Sequence, residues 1–176
     1  KPLYNPKSDV RVIGEFIRLY VTSQDRWLSP KFLAGESYGA TRAAALAGHL
    51  PSKVGMTLSG LTLISAALDF QAISFEDSND LPYVLYVPAY AAVAWYHRKL
   101  PLALQRASLE DVLAEVEEWA NGEYRSALAQ GDALTPQQRD RVLDRYSSYT
   151  GLPRRFVDSC NLRVTSSAFR RELLRP

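Results

Sequence analysis

Few side chains in this sequence are suited to covalent chemistry: the chain has one cysteine, Cys160, and two histidines, His49 and His97. The arrangement that could do such chemistry is Gly35-Glu36-Ser37-Tyr38-Gly39. A glycine-x-serine-x-glycine run acts as a nucleophile elbow when it follows a buried strand and opens a helix. The turn is then so sharp that the serine takes strained dihedrals, and small flanking residues avoid clashes between strand and helix. Ser37 Oγ would project at the carboxyl edge of a sheet as the nucleophile. The N–H of Tyr38, at the helix N-terminus, would face the oxyanion that forms on attack. Glu36, beside the same terminus, is stabilised by the helix dipole wherever it occurs, so its residue type alone assigns it no role.

A serine nucleophile needs a histidine base, and the histidine needs an acid to orient it. His49 lies on the same helix, about 18 Å along the axis from Ser37, and cannot reach it. His97, in "AWYHRKL", falls inside an expected helix. A triad of Ser37, Asp69 and His97 would keep the chain order of this fold class, with Asp69 following a strand. The histidine of that class sits on a loop after the last strand, however. His97 therefore reads as a pocket-lining or structural residue, and Asp69 as a cap or turn residue.

Four segments carry a family resemblance: "FLAGESYGATRAAALAGHL", "LTLISAALDF", "NDLPYVLYVPAYAAVAWYH" and "YTGL". Together they resemble the serine carboxypeptidase family, particularly its bacterial branch. The likeness covers most of the chain and is most specific at Gly-Glu-Ser-Tyr. It implies an α/β-hydrolase fold with a mostly helical cap insertion, and a serine-type peptidase that releases C-terminal residues through an acyl-enzyme on Ser37. It also implies Tyr38 as an oxyanion donor, and Glu36 as a substrate-binding residue that bonds another carboxyl group and helps hold the substrate's C-terminal carboxylate. Eukaryotic members read Gly-Glu-Ser-Tyr-Ala-Gly, whereas Gly39 and Ala40 are swapped here. Both are small, so the turn is expected to survive. A lipase-, esterase- or acyltransferase-like hydrolase, or a non-catalytic module that keeps the fold, are the alternative readings.

The positioning elements can be read in order. Ser8 or Asp9 is expected to cap a helix reaching about Thr22, with Val12, Phe16, Ile17 and Tyr20 on its inner face. A strand over 31–35 leads through the elbow into a helix from Tyr38 to about Leu50, which Pro51 stops. "LSGLTLISAAL" (58–68) suits a strand buried on both faces of a parallel sheet, which makes a right-handed strand–helix–strand unit. After a polar link over 74–83 the chain reads as helical. Expected helices run over 83–100, kinked at Pro88, then over 108–130, from Thr135 to about Tyr149, and through "TSSAFRRELLRP". Thr135-Pro136-Gln137-Gln138 has the form of a capping box. Tyr86, Tyr90, Val93 and Tyr96 either pack the core of the helical half or line a pocket over Ser37.

The domain reading is a partial α/β-hydrolase core over 1–73 and a helical cap over 74–176, with more than half the residues helical. At 176 residues, 47% hydrophobic, 23% charged and net charge +2, the composition is that of a globular protein with no nucleic-acid footprint. No run of 18 apolar residues suggests a membrane span. One cysteine excludes an intrachain disulfide and a cysteine-based zinc site. A serine–histidine–acid mechanism implies no cofactor. The expected partners are a peptide substrate and a second copy meeting the apolar surfaces that two strands leave bare. The chain opens on Lys1-Pro2, and the missing histidine and acid are expected beyond Pro176, in a larger protein. The resemblance favours an exported one.

Overall fold

The computed structural model describes residues 5–175; Lys1, Pro2 and Pro176, used above only as chain ends, lie outside them. The chain is mixed α/β and 64% helical. It divides into two compact units, Lys1–Phe70 and Gln71–Pro176.

In the first unit, helix α1 spans Pro6–Ser23. Its cap is Asn5, whose side chain accepts from the Ser8 N–H at 2.8 Å, and not Ser8 or Asp9 as expected. Pro6, with its fixed φ and no N–H, suits the first helical position and sets the start there. The inner face also differs from expectation. Val10, Gly14 and Val21 are buried, with Ile13 and Ile17 packed beside them, whereas Val12, Phe16 and Tyr20 are exposed. The helix carries two apolar stripes, and the one containing Gly14 is turned inward. A Cβ at Gly14 would come within 2.9 Å of His49 Cδ2, so a larger residue there would require the His49 side chain to shift.

Strand β1 (Phe32–Glu36) leads through Ser37 into helix α2 (Tyr38–His49), and strand β2 (Gly60–Ile64) returns parallel to β1, with Phe32 opposite Gly60 and Glu36 opposite Ile64. Leu33 and Gly35 point to one face, and Phe32, Ala34 and Glu36 to the other. β2 is not buried on both faces: Leu61, Leu63 and Ile64 are all exposed. Among the described residues the sheet has two strands, and its helix α2 can shield only one side. Pro51 does not stop α2 outright. It lacks the N–H for the next helical bond, and the chain widens into a π turn, Leu50–Val54, that ends at Gly55 with φ 73°. The buried core of this unit is small: Val10, Val21, Leu46, Leu50 and Met56.

The second unit is helical. It contains α3 (Leu81–Tyr96), α4 (Leu102–Arg106), α5 (Leu109–Trp119), α6 (Arg125–Gln130), α7 (Pro136–Thr150), α8 (Arg154–Ser159) and α9 (Ser166–Leu173). Ser108 caps α5, which passes through a π turn (Ala120–Tyr124) into α6. This makes the expected helix over 108–130 one interrupted run. The capping box at Thr135 forms as expected, and Gly151 closes α7 at φ 68°. Trp119, Tyr124, Tyr146 and Tyr149 pack ring against ring at its centre. Tyr124 donates its hydroxyl to the Leu162 carbonyl at 2.6 Å. Arg163 grips Asp80 with two nitrogens, at 2.7 and 2.9 Å, tying the start of α3 to the chain before α9.

Two further expectations need correction here. His97 is not inside a helix: it is the exposed residue that ends α3. Of the four apolar α3 residues singled out, Tyr90 is buried and Tyr86 packs beside the core, but Val93 and Tyr96 are exposed.

Candidate active site

Ser37 alone joins β1 to α2 and takes φ 54°, ψ −121°. For a residue with a side chain this is a strained conformation, costing on the order of 1–3 kcal/mol, and it persists only where neighbours over-determine it. They do so here. The Ser37 N–H donates to the Ile64 carbonyl at 3.0 Å, extending the ladder one step past the strand, and the Ala40 N–H donates to the Ser37 carbonyl at 3.0 Å. Gly35 permits the close return of the chain: a Cβ there would lie 2.1 Å from the Gly39 carbonyl oxygen. Gly39 has no such constraint, since a Cβ added to it meets nothing within 4 Å. The swap of Gly39 and Ala40 relative to the Ala-Gly order thus costs the turn nothing at Gly39.

The Ser37 side chain is exposed and makes no capping bond. Beside it, the Tyr38 and Gly39 N–H groups open α2 and lie at its positive end. Tyr38 supplies the first of them. Glu36, the last residue of β1, is exposed on the sheet face turned away from α2. Ser37, Tyr38 and Glu36 are therefore brought together at one sheet edge, in adjacent positions.

The same edge holds a group the sequence reading missed. Asp9, on α1, accepts from Arg42 Nε at 2.7 Å and Nη2 at 3.0 Å, and from the Tyr38 hydroxyl at 3.2 Å. The Arg42 hydrogen bonds hold the Asp9 carboxyl below its usual pKa. Desolvation first, then the bond to Asp9, push the Tyr38 phenol up. The Arg42 guanidinium also lies over the Tyr38 ring, 5.1 Å from its centroid. Tyr38 and Arg42 are four apart and share a side of α2, which is legible in sequence. Nothing local points to Asp9. On the other side of the elbow, the Thr41 hydroxyl donates to the Ala67 carbonyl, pinning the segment after β2 to the start of α2. Ser65, the residue after β2, has φ 48°.

His49 is not gathered here. His49 ends α2 at the far end from Ser37 and packs on Gly14. It faces an open depression shared with Arg11, Val12, Glu15, Lys53 and Val54. His97 belongs to the second unit, and Asp69 is exposed five residues beyond β2. Among the described residues no group of three or more His, Cys, Asp or Glu side chains could hold a metal ion, and no helix is long and apolar enough to cross a membrane.

No family model, no curated protein and no solved structure matches the chain.

Proposed function

We propose that this chain carries the nucleophile elbow of an α/β-hydrolase-type serine peptidase that removes C-terminal residues from peptides. The observation that supports it most is the backbone of Ser37, held at φ 54°, ψ −121° between a parallel strand and a helix with its side chain exposed. Backbone strain of this kind clusters at functional sites, where the surrounding structure over-determines it.

In this reading Ser37 Oγ attacks the scissile carbonyl carbon as its proton passes to a base. The carbonyl oxygen becomes an oxyanion facing the Tyr38 N–H. Collapse expels the C-terminal amine, protonated by the same base, and leaves an acyl ester on Ser37. Water then attacks that ester by the reverse proton path and frees Ser37. Glu36, at the carboxyl end of β1, helps hold the C-terminal carboxylate of the substrate through a second carboxyl group. His49 is at the wrong end of α2, so the base and its orienting acid come from outside the first unit. General-base assistance contributes on the order of 10²–10⁴ in rate, so the first unit by itself is a slow acyl acceptor.

The substrate class is tested by protection of Ser37. A blocked dipeptide with a free C-terminus should slow fluorophosphonate labelling of Ser37, and its C-terminal amide should not. Equal protection by both would move the activity to ester or amide hydrolysis without exopeptidase character. Protection by neither would remove peptides from the account.

A further inference from the structure

Ser37 and Tyr38 share one planar peptide unit, whose carbonyl belongs to Ser37 and whose N–H belongs to Tyr38. The carbonyl side is fixed by the Ala40 N–H at 3.0 Å. The other side ends at the Tyr38 Cα, and the Tyr38 side chain is held from three directions. Asp9 accepts its hydroxyl at 3.2 Å, the Arg42 guanidinium lies over its ring at 5.1 Å, and the Phe70 ring lies 6.5 Å away, centroid to centroid. Asp9 is the hub, because it also takes both Arg42 nitrogens. Exposed ion pairs contribute little to stability. This carboxylate differs in being 16% exposed and in receiving three donors that all come from the first two turns of α2.

We propose that Asp9 is a positioning residue for the elbow: by clamping Tyr38 and Arg42 it fixes the Ser37–Tyr38 peptide plane and so the direction of the Tyr38 N–H. The inference rests on the reading of Ser37 as nucleophile and adds to it a residue 28 positions upstream. Aim matters because an oxyanion donor must be held to within roughly 0.5 Å and 10–20°. The strained dihedrals of Ser37 supply a restoring tendency away from that aim, which the clamp opposes.

Two readouts on the full chain test it. The first is backbone amide hydrogen exchange at Ser37 and Ala40. The second is the rate of fluorophosphonate labelling of Ser37, with free imidazole supplied as base. Asp9→Asn and Tyr38→Phe are compared with Val21→Ala, which removes a buried methyl pair from the same unit without touching the clamp. Asp9→Asn should raise exchange at both amides about tenfold beyond Val21→Ala, and lower the maximal labelling rate about tenfold while the half-saturating probe concentration stays the same. Tyr38→Phe should move both in the same direction by less, and the double variant should be no worse than Asp9→Asn alone. Exchange equal to that of Val21→Ala would overturn the clamp. Faster exchange with an unchanged labelling rate would overturn its bearing on the oxyanion. If the unsubstituted chain is not labelled at all, the nucleophile reading falls, and the exchange data still decide whether Asp9 holds the peptide plane.

Discussion

The contact between Gly35 and Gly39 gives the sharpest test of the elbow geometry. A Cβ added at Gly35 would lie 2.1 Å from the Gly39 carbonyl oxygen, 2.3 Å from its carbonyl carbon and 2.7 Å from the Ala40 nitrogen. Reaching an ordinary contact of 3.4 Å from 2.1 Å means parting strand and helix by about 1.3 Å at that point. The obstructing atoms are backbone, and the Ala40 N–H is already bonded to the Ser37 carbonyl, so no side chain can swing aside. Overpacking of this kind costs about 1–3 kcal/mol, and the rigid backbone puts Gly35→Ala at the upper end. Gly39→Ala should do the opposite. Nothing lies within 4 Å of its added Cβ, and alanine is favoured over glycine in a helix by up to about 1 kcal/mol. The two substitutions, in one five-residue motif, should thus differ by roughly 4 kcal/mol, combining the two effects. Hydrogen exchange resolved to the 31–50 segment reads this directly, because exchange through opening scales with the local equilibrium. The reasoning is refuted if Gly35→Ala stays within about 0.5 kcal/mol of the unsubstituted chain, the range of an ordinary surface change.

Three further outcomes follow from other parts of the molecule. Ser37→Gly should stabilise the first unit by about 1 kcal/mol net of glycine's extra chain entropy, read as a higher thermal midpoint, because glycine adopts φ 54°, ψ −121° without steric strain; Ser37→Ala should leave the midpoint unchanged, and equal effects of the two would argue against strain. In the second unit, burial pushes the phenols of Tyr90, Tyr124 and Tyr146 far above the ordinary value of 10.0, and Tyr149 up to about 12. Groups whose folded pKa is raised contribute stability that is complete below pH 10 and lost as pH rises toward their folded values. Phenolate absorbance of these four should therefore appear together with loss of helical circular dichroism above pH 10, and smooth ionisation of all ten tyrosines with the signal intact would contradict it. Thr135→Ala removes the Oγ1 acceptor of the Gln138 N–H in the capping box at α7 while its backbone N–H can still donate to Gln138, and it should lower the stability of the second unit by about 1 kcal/mol in urea unfolding; no change would mean that packing alone fixes this helix end.

What the sequence made legible was mainly local. The strand, the elbow and the start of α2 could be placed because the glycine-bearing motif falls between a β-prone run and an alanine-rich helix, and Gly35 admits the close return of the chain there. Thr135-Pro136-Gln137-Gln138 declared a helix start through bonds spanning three residues. The failures are equally physical. α1 has apolar residues on two faces, and the stripe that carries Gly14, set against His49, is the one turned inward. Pro51 shifts the helix to a wider turn rather than ending it, which depends on Gly55 taking φ 73° a few residues later. The short α4 and α8 follow Pro101 and Pro153 with no side-chain cap, so no capping signal marks their starts. Asp9 and Arg42 are 33 positions apart, beyond any spacing rule. β2 looked like a strand covered on both sides, and its composition still does; within the described residues one helix faces it.

The central claim is that Ser37 is a nucleophile on a preformed elbow whose base comes from outside the first unit. The most direct measurement treats the folded chain with a fluorophosphonate over a range of free imidazole concentrations, beside Ser37→Ala, and maps the adduct by mass. Ser37 Oγ would displace fluoride from phosphorus and pass its proton to imidazole. Full-rate labelling without imidazole would place the base within the chain and make His97 the residue to replace. The account expects a single adduct at Ser37 that grows with imidazole and is absent from Ser37→Ala. A folded chain that forms no adduct at Ser37 at any imidazole concentration would contradict it.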